Sequence, residues 1–182
     1  MIVNITNLSD FKIKHVEFIK RVAGKLGAVI DSEHWEEEVS ATHFQYARGL
    51  NGAEICKLVR SGADDKKRNA DGDIDLDLHN FYKAGPTIAY TYLGESVIWL
   101  NSFFLEKNLR LGLQGEANLA GTIIHELSHR AYDFTHPIFK FRNFSVPYKL
   151  GGITSKCYFN IYSLPFRPQE SLVSSLVFKV AC

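Results

Sequence analysis

Between residues 70 and 80 the hydrophobic period of this 182-residue chain changes, and that change limits the folds open to it. Upstream, "FKIKHVEFIKRVAGKL" sets Phe11, Val16, Phe18, Ile19, Val22 and Leu26 largely at the three- and four-residue spacing of one helical face. "SEHWEEEVS" and "GAEICKLVRSG" predict two shorter helices, so residues 1–65 read as mainly helical. A polar connector rich in Asp and Gly, "SGADDKKRNADGDIDLD", follows. "DIDLDLHNF" then alternates Ile74, Leu76 and Leu78 with Asp73, Asp75 and Asp77, the two-residue period of a half-buried strand. "TIAYTYL" and "SVIWLNSFF" are further β-rich runs, and Leu93-Gly94-Glu95 between them is short enough for a hairpin. Helical character returns at Glu116 and lasts to about Tyr132. Beyond it, glycines, prolines and aromatics predict loops and short strands, with "PQESLVSSLVFKVA" as a last helix. The pattern predicts an α+β fold, a small twisted sheet packed against helices, with residues 71–182 carrying the sheet and the C-terminal segment of one domain spanning 1–182.

Charge and composition narrow the function. Hydrophobic residues make up 46% of the chain, enough for one core. Lys and Arg number 21 against 20 Asp and Glu, so there is no basic footprint for nucleic acid or an anionic membrane. No run approaches the roughly 20 apolar residues that span a bilayer, and the opening "MIVNITNLSDFKIKHVEF" lacks the basic-then-apolar order of a signal peptide. The expected location is cytoplasmic, or outside the cell by a route that needs no signal peptide. Cys56, Cys157 and Cys182 contain no close pair and predict unreactive thiols, with a bridge between Cys157 and Cys182 left open. "NADGDID" resembles a calcium loop only until its ends are checked. With Gly72 as the loop glycine, Lys67 and Leu78 fall where carboxylates are needed.

The chemistry concentrates in "GTIIHELSHRAYDFTHPIF". His125, Glu126 and His129 form H-E-x-x-H, which on a helix sets both imidazoles on one face about 6 Å apart at their origins, able to share one zinc ion. Ala120, Ile123, Ile124, Leu127 and Ala131 form an apolar stripe turned away from them, so the helix buries one side and holds the histidines over a cleft. A catalytic zinc needs a third protein ligand. Asp133 is too far along a straight helix from His125 and suits a partner behind the ligands better. His136 precedes Pro137, which disfavours helical geometry there, so a chain leaving the helix near Phe134 can fold His136 back onto the metal. The expected ligands are therefore His125, His129 and His136, and the expected general base is Glu126.

"NLAGTIIHELSHRAYDFTHPIF" resembles the zinc-binding region of the aspzincin or deuterolysin-like metalloendopeptidases, in which H-E-x-x-H is followed by a Thr-x-Asp-x-x-Tyr segment whose aspartate is the third ligand. The resemblance covers about residues 97–139 and sets Thr135 on that threonine, His136 beside it and Phe139 near the tyrosine. It implies a zincin-like fold and a zinc-dependent endopeptidase acting on protein or peptide substrates. Phe139 has no hydrogen-bond donor for an oxyanion, so Tyr132, Tyr148 and Tyr158 stand as candidates for that part. Substrate is expected as an extended strand along Val97–Asn101. The rival reading is a zinc-binding protein-interaction module that keeps the scaffold without turnover.

Overall fold

A computed structural model of the chain describes residues 1–62, 70–92, 97–135 and 142–163. Its elements are β1 (Ile2–Ser9), α1 (Ile13–Asp31), α2 (Glu33–Ser40), α3 (Gly52–Arg60), β2 (Asp73–Phe81), β3 (Ala89–Tyr90), β4 (Val97–Asn101), α4 (Ser102–Leu109), α5 (Leu113–Tyr132) and α6 (Val146–Ser163). The class is α+β. Local chemistry fixes several element starts. The Ser32 side chain accepts from the Trp35 amide ahead of α2, and Asn51 and Glu54 form a reciprocal capping box on α3.

The sheet has the order β1-β2-β4-β3. β1 and β4 flank β2 in parallel, and β3 closes the sheet antiparallel to β4 with Ala89 opposite Leu100 and Tyr90 opposite Trp99. The alternation expected of "DIDLDLHNF" is present: Ile74, Leu76 and Leu78 are fully buried, as are Ile98 and Leu100 on β4, and all five join the core with the helices. The opposite face carries Asp75, Asp77, His79, Trp99 and Tyr90, all partly exposed.

Three expectations are corrected. Residues 2–9 form a strand, so the region read as mainly helical contributes the first strand of the sheet. β-Branched Ile2, Val3, Ile5 and Thr6 suit a pleated surface, and Asn4 and Asn7 donate across it to Asp75 and Asp77 at 3.1 and 3.0 Å. Phe103 and Phe104 belong to α4 and not to the β-run before it, because Asn101 ends β4 and caps the helix by accepting from the Phe103 amide at 3.0 Å. Finally, residues 146–163 are one long helix where loops and short strands were expected. Pro147 lies in its first turn, where no amide donor is needed, and Gly151 is a spacer in a helix contact, not a breaker. The segment "PQESLVSSLVFKVA", the turn at 93–95 and Cys182 lie outside the described residues. Cys56 and Cys157 are buried thiols, and burial pushes Cys157 up to about 11.

Candidate metal centre

α5 is anchored from behind. Ala120, Ile123, Ile124, Leu127 and Ala131 are all buried, as the stripe in the sequence requires, and the buried Arg130 guanidinium donates to the Asp75 carbonyl of β2 at 2.9 Å. His125 and His129 occupy the opposite, half-buried face. Their rings are 5.0 Å apart and inclined at 71°, and their Nε2 atoms converge to 3.3 Å. Two nitrogens bound at about 2.0 to 2.1 Å to one tetrahedral ion stand about 3.3 to 3.4 Å apart, so the pair fits zinc in both donor type and spacing.

The helix end sets the second histidine. Asp133 adopts a left-handed conformation with φ 52°, and the amides of Asp133 and Phe134 both turn back to the Ser128 carbonyl. The Phe134 carbonyl thereby meets His129 Nδ1 at 2.5 Å. A carbonyl can only accept, so Nδ1 carries a proton, and in the neutral ring Nε2 then carries the lone pair that a metal ligand needs. The Asp133 carboxylate, expected as a partner behind the ligands, stands 3.7 Å from Arg48 and is about half exposed. His136 and Phe139 lie outside the described residues. Among the described residues no group of three or more His, Cys, Asp and Glu side chains is placed to hold a metal ion, so His125 and His129 are the described part of the expected ligand set.

Glu126 is buried, with 7% of its surface exposed, and lines the same cleft. Burial alone pushes its carboxyl up to about 7, because the charged form has lost its water without gaining a cationic partner among the described residues. Of the three tyrosines left open by the sequence, Tyr148 lies at the site, its ring 4.7 Å from that of His125 at 84°. The reason is a close helix crossing: a Cβ on Gly121 would lie 2.5 Å from the Gly151 carbonyl oxygen, so only paired glycines let α6 approach α5 this far. Tyr158 is committed elsewhere, donating from its buried hydroxyl to Glu116 at 2.9 Å. Tyr132 lines a separate cavity of about 440 Å³ beside Arg48 and Phe134.

The cleft over the histidines has a volume of about 1030 Å³. Its walls are the 85–91 segment, α4 and α6, and Thr135 also borders it. β4 cannot offer an edge to a peptide, since β2 and β3 already occupy both of its sides, which overturns the expected pairing along Val97–Asn101. The free edge of the sheet on this side belongs to β3. Ile88 accepts from the Asn101 amide at 3.0 Å, so alternation turns the backbone groups of Ala89 away from β4. Comparison of the chain with family models, with curated proteins and with solved structures gave no match.

Proposed function

We propose that the chain is a zinc-dependent metalloendopeptidase of zincin type. The observation that carries this reading is the convergence of the His125 and His129 Nε2 atoms to 3.3 Å beside a buried Glu126, in a cleft of about 1030 Å³. His125 and His129 would hold the ion through Nε2, with His136 as the third ligand. When bound, zinc supplies Lewis acidity that polarises a carbonyl and makes water a stronger acid at neutral pH. Glu126 does the proton work: its carboxylate takes the proton of the attacking water and delivers it to the leaving amine. The Tyr148 hydroxyl donates a hydrogen bond to the oxygen that gains negative charge, replacing the tyrosine absent at Phe139. The outward backbone groups of Ala89 pair with the substrate, which holds the scissile bond over the helix with few side-chain contacts.

Hydrolysis of an unfolded protein by the purified chain tests the reading. Cleavage is expected with one zinc per chain, lost on chelation and restored by added zinc. Stoichiometric zinc without cleavage of any protein would contradict the peptidase and leave the non-catalytic binding module.

A further inference from the structure

The cleft is chemically unequal along its length. At the α4 end, Phe103, Lys107 and Leu111 follow one another at four-residue intervals and face the cavity, with Ile88 opposite on the 85–91 segment. Phe103, Leu111 and Ile88 are each close to half exposed, so a ligand side chain laid there removes apolar surface from water. Apart from His125, Glu126 and His129, Lys107 is the only Lys, Arg, His, Asp or Glu side chain among the described residues that line the cleft, and so its one fixed positive charge at neutral pH. It makes no ion pair among the described residues, whereas the neighbouring Glu106 is taken by Lys14 and His15.

The position of this end relative to the histidines follows from the helix junction. Asn118 of α5 donates to the Asn108 side chain at 2.8 Å, and a Cβ on Gly115 would lie 1.9 Å from the Asn108 carbonyl oxygen, so the end of α4 is clamped onto the start of α5. Seven residues of helix separate Asn118 from His125, about 10 Å at 1.5 Å per residue. An extended peptide covers that distance in about three residues.

We propose that the α4 end of the cleft is a specificity subsite for an acidic side chain with an apolar neighbour, held about three residues from the bond that is cut. The proposal rests on the peptidase reading above. The Lys107 ammonium pairs with the carboxylate, and Phe103, Leu111 and Ile88 cover the apolar group. Exchange of the carboxylate for its amide costs about fivefold, the scale of a partly exposed ion pair.

Two measurements test it on the full chain. A mixture of C-terminally amidated peptides is digested by the zinc-loaded wild type, by Lys107→Gln and by Lys107→Glu, and the cut sites are read by mass spectrometry. The wild type is expected to enrich Asp and Glu about three residues from the cut, Lys107→Gln to lose the enrichment and Lys107→Glu to replace it with Lys and Arg. Cut sites that are the same in all three proteins overturn the subsite and leave the peptidase reading intact. If nothing is cut, the peptidase reading falls, and the subsite is decided by fluorescence anisotropy with amidated labelled peptides containing Glu-Leu or Gln-Leu. Tighter binding of the Glu peptide, erased by Lys107→Glu, upholds it, and equal binding of the two overturns it.

Discussion

His129 owes its ring orientation to one backbone oxygen. The left-handed turn at Asp133 brings the Phe134 carbonyl onto Nδ1, which places a proton there and leaves Nε2 facing His125 Nε2 at 3.3 Å. Tyr148 contributes differently, through an aromatic contact with His125. Tyr148→Phe keeps the ring and its packing, so zinc affinity should be unchanged while kcat falls about 10²-fold, the effect of losing one oxyanion donor. Equal kcat values in the two proteins would remove Tyr148 from that role. The histidine pair was legible in the sequence because a four-residue spacing on a helix is a local relation. Tyr148 was not singled out, since it reaches His125 only through the packing of a helix far along the chain. The Phe134 carbonyl was not foreseen as the partner of His129 for a similar reason: composition does not announce which backbone carbonyl a left-handed residue will redirect.

α5 is held by two devices that a single-element reading does not expose. One is the glycine crossing, where a methyl group on Gly121 would press on the Gly151 carbonyl. Gly121→Ala should therefore destabilise the protein by about 1 to 3 kcal/mol despite its better helix propensity, as a denaturant titration would record. A stabilised variant would mean that α6 can retreat at no cost. The other device is Glu116, buried at the start of α5 and bonded to Arg21 at 2.6 Å, Lys25 at 2.8 Å and the Tyr158 hydroxyl at 2.9 Å. Burial opposes its ionisation, but the hydrogen bonds from Lys25, Arg21 and Tyr158 outweigh burial and lower its carboxyl below the ordinary 4.5. A depressed carboxyl stabilises the fold above its unfolded value and loses that contribution as the pH drops through the folded one. Glu116→Gln should cost about 2 kcal/mol at pH 7, less than a wholly buried pair because Arg21 and Lys25 are partly exposed. The gap from wild type should close below pH 4.5, and a gap of constant size from pH 3 to 7 would exclude the ionic contribution. β2 and α1 were legible because their apolar periods are clean. β1 was hidden by a polar, asparagine-rich face, and α6 by glycines and a proline that serve packing and the first helical turn.

At the scale of the molecule, the α+β class followed from the switch in period, but strand order did not. β4 reads as a strongly β-forming run that leads toward the metal helix, and only the crossover that seats β3 outside it moves the free edge to Ala89 and Tyr90. A nonlocal choice of neighbours of this kind leaves little trace in either strand's own residues. No helix among the described residues is long and apolar enough to cross a membrane. The proposed function draws on the whole arrangement, a helix anchored by its apolar stripe with two imidazoles converging over a cleft and the buried Glu126 beside them, and it depends on Glu126. The decisive measurement compares peptide hydrolysis by the wild type and Glu126→Gln at equal zinc occupancy. The substitution keeps the shape and removes the base, so turnover should fall by at least about 10²-fold with metal content and melting behaviour retained. Turnover close to that of the wild type would contradict the assignment of Glu126 as the base and, with it, the proposed mechanism.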